Sequence, residues 1–217
     1  WMFEEWVQTT RELITLMEQK HCYSVFVKPR FFSGAAGVAA IHFHPVKKEM
    51  VMLTSCLLEK GKLANTRRIR RYTDYREIEQ LLDVLLSLDC IVERWHPKAE
   101  HNKKTYDLRV VYQFGHVAFT VVRQSSSPIT NLHLNNQAAD VNELNLPVSV
   151  WEEIEALSRQ AVELFDGLSM AGIDIMLDKK TKKPRIIEMN GQGDLIYQDI
   201  FSENRIYREQ ISTLLGL

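Results

Sequence analysis

The chain has 217 residues, of which 45% are hydrophobic and 25% are charged, enough for one sizeable domain or two small lobes with a hydrophobic core. Its formal net charge of -1 argues against a global attraction to nucleic acid or anionic membranes, and no apolar run approaches the roughly 18–20 residues that span a bilayer. The three cysteines are far apart and form no CxxC pair, which favours a reducing compartment. We therefore expect a cytoplasmic protein without nucleic-acid or membrane partners.

The first part of the chain predicts one helix, a sheet and a second helix. Apolar residues recur at helical spacing through the first twenty residues, which predicts an amphipathic helix. Strands at 24–28 and 37–43 follow, joined by a loop that contains glycine, and the segment EMVMLTSCLLEK continues the sheet. The basic segment TRRIRRYTDYR favours a charged strand or loop over a nucleic-acid patch, because the whole chain is almost neutral. Asp74, with a glutamate three residues later, predicts the start of a helix that ends near Leu88. We expect a first lobe over residues 1–92.

The second part predicts another sheet with two helices, as a lobe over residues 93–217. CIVERW begins this sheet, and YDLRVVYQF with HVAFTVVRQ forms a hairpin that turns at Gly115. A long polar loop, SSSPITNLHLNNQAADVNELNLP, precedes a helix that Ser149 is predicted to cap and that stops at Gly167. The strands GIDIMLD and RIIEMN follow. A final amphipathic helix carries an Ile and Leu stripe, typical either of a core or of a contact between copies of the chain: Ile206, Ile211 and Leu214.

The last strand pair carries polar residues at unexpected places. Side chains alternate between the faces of a strand, so Glu188 and Asn190 share one face while Ile187 and Met189 take the other. A hairpin centred near residue 181 places Asp174 opposite Glu188, with Cβ atoms about 5 Å apart. Two such carboxylates repel each other unless a proton or a cation lies between them. With the amide oxygen of Asn190 they offer three hard donors, which suit Mg²⁺ or Mn²⁺; a solvent-facing strand is the alternative.

A magnesium site with few protein ligands usually takes its other ligands from phosphates and water, and the chain offers candidates that could bind phosphate. Lys28 ends an apolar strand just before a loop with glycines at positions 34 and 37. Arg109 and Arg123 lie on neighbouring strands of the predicted hairpin, where guanidinium groups can grip phosphate or carboxylate. The structural alternatives are an exposed strand end for Lys28 and surface salt bridges for the arginines, for example from Arg109 to Asp107 or Glu93.

The order of these segments resembles the ATP-grasp superfamily over most of the chain from about Ser24 onward. The resemblance depends on VFVKP, FSGAAGVAAI, IVERW, YDLRVV, VVRQ, TNLHLNN, GIDIM and IIEMNGQGD in this order. It is closest to the branch of the ribosomal-protein glutamate ligases and related carboxylate–amine ligases. The resemblance implies an α+β ATP-grasp fold, in which two α/β lobes with mostly antiparallel sheets enclose a nucleotide cleft.

The resemblance also implies roles for the nucleotide-binding positions. Lys28 would hold the α- and β-phosphates of ATP, and a flexible lid with Ser33, Gly34 and Gly37 would fold over the phosphates. Asn131 would lie close to the metals or phosphates. The adenine and ribose would meet three residues of a hinge between the lobes: Glu93, Arg94 and Trp95.

The implied reaction joins a carboxylate to an amine through an acyl phosphate. Arg109 and Arg123 would hold the γ-phosphate and then the acyl phosphate. Water exclusion by the lid would protect that intermediate from hydrolysis. One or two Mg²⁺ ions, or Mn²⁺, would be held by three residues: Asp174, Glu188 and Asn190.

Two departures from the family pattern leave the activity open. Members usually carry a further N-terminal domain and a second nucleotide-contacting lysine upstream of the Lys28 position, so we expect a fragment or a chain that depends on a separate subunit. The glycine-rich segment of the glutamate ligases is replaced here by HLNNQAAD, which leaves the amine acceptor undefined. The alternatives to a ligase are a phosphotransferase on the same fold and a non-catalytic nucleotide-binding subunit.

Overall fold

A computed structural model describes residues 2–32, 34–191 and 205–216 of the chain. The predicted α+β class is confirmed, and every strand pairing in the described residues is antiparallel. The chain divides into two compact units, Trp1–His96 with Ser127–Asn136, and Pro97–Ser126 with Gln137–Leu217. None of the described helices is both long and apolar enough to cross a bilayer.

The first unit is a five-stranded sheet with two helices. The elements are α1 Thr10–Gln19, β1 Ser24–Pro29, β2 Ala39–His44, β3 Glu49–Glu59, β4 Lys62–Tyr72, α2 Tyr75–Leu86 and β5 Cys90–Arg94. The strand order is β4-β3-β2-β1-β5. The first seven residues of the basic segment, 66–72, lie in the edge strand β4, and its last two residues begin α2.

Two predictions for this unit are wrong. The segment CIVERW does not begin a second sheet, because β5 pairs with β1 through Val27 and Val92 and so completes the first sheet. The first helix does not begin at the N-terminus. Thr9 caps it by accepting a hydrogen bond from the backbone N–H of Glu12 at 3.2 Å, and Met2 instead forms a β-bridge with Glu93.

The two faces of the first sheet have different environments because side chains alternate along each strand. One face packs against α1 and α2 in a core that includes Val25, Val27 and Leu82, all fully buried. Asp74 caps α2 as predicted, by accepting a hydrogen bond from the backbone N–H of Glu77 at 2.9 Å. The opposite face carries Phe26 and a smaller apolar cluster, to which the segment 127–136 contributes.

The second unit contains the other sheet. Its elements are β6 Glu100–His101, β7 Lys104–Gln113, β8 His116–Ser125, β9 Gln137–Ala139, α3 Val148–Glu163, β10 Met170–Leu177, β11 Pro184–Asn190 and α4 Arg205–Leu215. The strand order is β11-β10-β7-β8-β9, and the short β6 pairs with β7. A core lies between this sheet and α3, with Ile154 of the helix almost completely buried against strand residues such as Leu108 and Ile173.

Details of this unit also differ from the sequence predictions. Ser149 does not cap α3, because the N-cap position is Pro147 and no side chain caps the helix. The long polar loop contains β9, which pairs with the last part of β8. In the terminal stripe only Ile206 is buried; Ile211 and Leu214 are 57% and 71% exposed.

Candidate functional site

The hairpin of β10 and β11 places Asp174 directly opposite Glu188, in the register that the sequence predicted. The pairing shifts by one residue just beyond Asp174, so Ile187 has no partner in the ladder and Ile186, with Met189, packs against the core. Glu188 is exposed, and the side-chain N–H of Asn190 donates a hydrogen bond to its Oε1 at 3.3 Å. The carboxylate and the amide that the sequence assigned to one face are therefore neighbours.

Asp174 also lies directly opposite Arg109, because β10 pairs with β7 on its other side. Arg109 Nε donates to Asp174 Oδ1 at 2.5 Å, and Arg123 Nη2 donates to Asp174 Oδ2 at 2.9 Å. Only 2% of Asp174 is exposed. The structure thus brings the two predicted phosphate-binding arginines together on one predicted metal ligand, in ion pairs that are largely buried and do not lie on the surface.

Two further residues extend this cluster, and the sequence analysis missed both as functional candidates. Asp107 accepts a hydrogen bond from Arg123 Nε at 2.8 Å through Oδ1 and one from Lys98 Nζ at 2.6 Å through Oδ2. Asp107 was detectable, because it shares a strand face with Arg109 two positions later, whereas Lys98 precedes the strand and no pattern marks it. We call the five residues the buried ion chain, in the order of contact: Lys98, Asp107, Arg123, Asp174 and Arg109.

The buried ion chain carries an excess of positive charge. It contains three cationic side chains and two carboxylates, which gives a net charge of one positive. Burial raises the pKa of Asp107, but Arg123 and Lys98 outweigh this effect and hold the pKa well below its ordinary value. Burial lowers the pKa of Lys98, although the nearby carboxylates of Asp107 and Asp174 act in the opposite direction. Burial tends to lower the pKa of Arg123, but the carboxylates of Asp107 and Asp174 outweigh this effect, so the pKa of Arg123 is raised.

The three predicted metal ligands all offer oxygen atoms, which suit a hard divalent cation, but Asp174 already accepts hydrogen bonds from two arginines. Glu188 is exposed and the oxygen of Asn190 is not used in its bond to Glu188, so both can offer oxygen atoms. Asp174 keeps lone pairs on both oxygens, but a metal ion bound there would be repelled by the guanidinium groups that already contact them. Within the described ranges, no three His, Cys, Asp or Glu side chains are grouped to hold a metal, so a thiolate or multi-histidine centre does not arise there.

The first unit brings together other predicted nucleotide-binding residues. Lys28 Nζ lies 2.6 Å from Glu93 Oε2, with both side chains largely buried, and 5.7 Å from the centre of the Phe26 ring. That ring is in turn 5.7 Å from the Trp95 ring. Lys28 is therefore not a free strand end, and the surface of β1 and β5 combines one ion pair with two aromatic rings. Arg94 is exposed.

The glycine loop has a structural requirement of its own. Gly34 and Gly37 have φ angles of +63° and +73°, and a Cβ at Gly37 would lie 2.5 Å from Pro29 Cγ. Gly37 is therefore required by packing and backbone conformation, whatever it binds. Ser33 lies outside the described residues. Asn131 is half-buried and belongs to the first unit, where its carbonyl accepts a hydrogen bond from Asn136 Nδ2 at 3.0 Å.

A cavity of about 580 Å³ in the second unit was not foreseen from the sequence. It lies along the first half of β8, whereas β9 pairs only with the later residues of that strand, and Asp140 and Trp151 contribute to its wall. Arg123 lies beyond this half of β8, so the cavity lining does not include the buried ion chain.

Comparison with known proteins gives weak similarities. No protein-family model matches the chain, and no curated protein gives a significant match. Two similar solved structures are of PsnB, one complexed with a phosphomimetic variant of a minimal precursor, Mg and ADP, the other with the precursor peptide PsnA2 and AMPPNP. Both are described as ATP-grasp ligases.

These similarities cover most of this chain but only part of each neighbour. The PsnB structures have 12% identity and TM-scores of 0.44, with 89% and 90% of this chain and 44% and 45% of the neighbour covered. The D-cycloserine synthetase DcsG has 12% identity and a TM-score of 0.47, with 86% of this chain and 53% of the neighbour covered. The chain therefore spans about half the length of these solved structures.

Proposed function

We propose that the chain is the nucleotide-binding part of an ATP- and Mg²⁺-dependent ligase that joins a carboxylate to an amine through an acyl phosphate. The observation that carries this proposal is the row of Arg109, Asp174 and Glu188 across three neighbouring strands. A guanidinium group and an exposed carboxylate flank the same aspartate. Groups suited to phosphate and groups suited to a divalent cation are therefore adjacent on one face of a sheet, as phosphoryl transfer requires.

The arginines would supply most of the electrostatic stabilisation. The substrate carboxylate forms a bond to the γ-phosphorus while the bond from phosphorus to the ADP oxygen breaks. Negative charge spreads over the transferred oxygens, and Arg109 and Arg123 would donate hydrogen bonds to them. The amine nitrogen then attacks the acyl carbon, phosphate leaves and the amine loses a proton, which gives an amide. The cationic side chains of the buried ion chain would favour the anions that this sequence of steps requires.

Other residues would bind and orient the nucleotide. Mg²⁺, when bound by Glu188, Asn190 and Asp174, would supply charge neutralisation on the phosphates. Lys28 would hold the α- and β-phosphates, and Glu93 at 2.6 Å would keep its ammonium group in place. The adenine and ribose would contact the residues predicted as a hinge, Glu93 to Trp95. Asn131 would approach the phosphates.

The substrates that we propose are a small-molecule or peptide carboxylate and an amine acceptor. The three cysteines are all buried and free, and their spacing suggested a reducing environment, so we place the reaction in the cytoplasm. The amine acceptor is the less defined of the two partners, because HLNNQAAD stands where the family pattern of the glutamate ligases has a glycine-rich segment.

The test is calorimetric titration of ATP into the longest natural gene product that contains this chain, with and without Mg²⁺. We expect Mg²⁺-dependent binding in the wild type and at least about tenfold weaker binding in Glu188→Ala/Asn190→Ala, because two oxygen ligands are lost. Glu153→Ala, which removes an exposed carboxylate from α3, is the matched control and should bind like the wild type.

The products then separate the candidate reactions. ADP release that depends on both a carboxylate and an amine, with an amide detected by mass spectrometry, supports the ligase. Phosphorylated product without an amide would show a phosphotransferase, and Mg²⁺-dependent ATP binding without turnover would show a non-catalytic nucleotide-binding subunit. Absence of ATP binding by the folded wild type would overturn all three.

A further inference from the structure

The edge strand β4 carries a group of positive charges without matching negative charges. Four exposed arginines lie within five positions of a chain whose formal net charge is -1, and we call them the arginine edge: Arg67, Arg68, Arg70 and Arg71. None of the four side chains forms an ion pair with a residue that the structure describes. Like charges at this spacing repel one another, and an anionic partner would relieve the repulsion.

A bulge in β4 holds the first two of these arginines. The strand pairing shifts there, so that residues 66–69 face only Ser55 of β3. The Thr66 hydroxyl donates a hydrogen bond to the carbonyl of Ser55 at 3.1 Å and accepts one from the backbone N–H of Arg68 at 3.3 Å. Bulges re-aim side chains at sheet edges and beside functional sites. Arg67 and Arg68 therefore lie on a hydrogen-bonded bulge and not on a loose loop.

The other two arginines border the edge of the sheet from both faces. Arg70 lies opposite Thr54 of β3, and Arg71 lies opposite Leu53. Successive residues of a strand point to opposite faces, so the two guanidinium groups lie on opposite sides of the sheet. An anionic segment that runs along the edge can therefore meet positive charge on either face.

The backbone of β4 offers hydrogen bonds along this edge. In the described part of the chain, β4 pairs only with β3 and ends the order of strands. The carbonyl of Arg67 already accepts a hydrogen bond from Asn135 Nδ2 at 3.3 Å, so the edge takes donors from outside the sheet. Charged side chains protect such an edge against strands in general. A strand with side chains of opposite charge gains ion pairs there instead.

We propose that the arginine edge binds an acidic peptide segment, which adds to β4 as an extended strand. The peptide backbone would form hydrogen bonds to the open edge, and carboxylates at successive positions would contact guanidinium groups on both faces of the sheet. Non-specific sites for single-stranded nucleic acid combine basic side chains with aromatic rings. The stretch 66–71 contains no aromatic residue, so the chemistry favours a peptide. This inference does not depend on the proposed ligase reaction.

The test is fluorescence anisotropy of a labelled peptide, Thr-Glu-Glu-Val-Glu-Glu-Thr, in about 50 mM salt, where exposed charges are weakly screened. We expect saturable binding by the wild type. Replacing all four residues of the arginine edge by glutamine should weaken it at least about tenfold, because several ion pairs are lost together. The matched control removes the same number of charges from turns of the second unit and should bind within about twofold of the wild type. It replaces four lysines by glutamine: Lys103, Lys180, Lys182 and Lys183.

Two altered peptides separate the roles of charge and backbone. The same peptide with glutamine in place of glutamate should not bind detectably, because it cannot form the ion pairs. A peptide with N-methyl groups on two adjacent central residues keeps every charge, but neither of its edges can pair fully with β4. We expect it to bind at least about fivefold more weakly than the parent peptide.

Three results would overturn the proposal: no saturable binding up to about 1 mM peptide, equal losses in the arginine and lysine variants, or equal binding of the N-methylated peptide. A labelled octamer of uridine that binds more tightly than the peptide, and depends on the same arginines, would replace the peptide by nucleic acid. Circular dichroism establishes that each variant is folded. If the fourfold variant does not fold, Arg67→Gln/Arg68→Gln and Arg70→Gln/Arg71→Gln take its place. Each should weaken binding about threefold, and no loss in either would refute the proposal.

Discussion

Replacing Asp107 by asparagine removes the carboxylate that the buried ion chain places between Lys98 and Arg123. Asp107 is 1% exposed, and its two oxygens accept from Lys98 at 2.6 Å and from Arg123 at 2.8 Å. An asparagine has nearly the same shape, but it is neutral and one of its two terminal groups is an NH₂ donor. In any orientation that donor faces one of the two cations.

The expected loss of stability follows from this geometry. Removing one partner of a buried ion pair typically costs about 3–5 kcal/mol, because the other charge stays buried without compensation. Arg123 keeps its bond to Asp174 at 2.9 Å, which limits the loss. We therefore expect the free energy of unfolding to fall by about 3–4 kcal/mol, a large part of the 5–15 kcal/mol typical of a natural domain.

Urea unfolding followed by far-UV circular dichroism measures this change, and amide hydrogen exchange localises it to β7 and β8 of the second unit. Glu100→Gln is the matched control, because Glu100 pairs with Lys179 at the same distance of 2.6 Å but both side chains are well exposed. That exposed pair should contribute less than about 1 kcal/mol. A loss in Asp107→Asn no larger than in Glu100→Gln would refute the reasoning.

A compensating substitution tests the cause of the loss. Lys98→Met, added to Asp107→Asn, removes the buried cation that the first change left without its carboxylate. Replacing a buried ion pair by neutral or apolar groups is often neutral or stabilising, so we expect the double variant to be more stable than Asp107→Asn alone. If it is less stable, uncompensated charge is not what destabilises the single variant.

Two further predictions concern pH and backbone conformation. The pKa of Asp107 is lower in the folded chain than in the unfolded chain, so its stabilisation is present above the ordinary aspartate pKa of about 4 and is lost as the pH falls toward the folded value. Urea midpoints measured from pH 7 to pH 3 should therefore fall less steeply in Asp107→Asn than in the wild type, and parallel profiles would contradict this. Gly37→Ala should destabilise the chain more than Gly34→Ala. Both positions have positive φ, which costs a side chain about 1–2 kcal/mol, but only at Gly37 does the new Cβ meet Pro29, at 2.5 Å. Thermal melting compares the two variants, and equal losses would show that the contact with Pro29 is relieved without cost.

Local sequence patterns predicted many individual elements correctly. The alternation of apolar residues and the turn residues between them located β1, β2, β7, β8, β10 and β11. The same two-residue period fixed the opposition of Asp174 and Glu188, because a hairpin with a short turn leaves few choices of register. The sequence also predicted that Asp74 caps a helix, since Asp74 and its partner Glu77 are only three residues apart.

Contacts between residues that are distant in the sequence could not be predicted from local patterns. Nothing within CIVERW indicates that β5 pairs with β1 and completes the first sheet, because the choice depends on which edge is open when the chain returns. The start of α1 was set by the capping box at Thr9 and by the bridge from Met2 to Glu93, a contact across 91 positions. Helical periodicity before residue 9 was therefore overruled by a tertiary contact.

The sequence identified most residues of the candidate site, but only the tertiary structure determined which of them contact one another. The patterns of single strands predicted phosphate or metal binding at four positions: Arg109, Arg123, Asp174 and Glu188. Only the order β11-β10-β7-β8 brings both arginines onto Asp174, and only folding places Lys98 beside Asp107. The physical reason is that a charged group is tolerated in a buried position only with charged partners, and those partners come from strands that are neighbours in space.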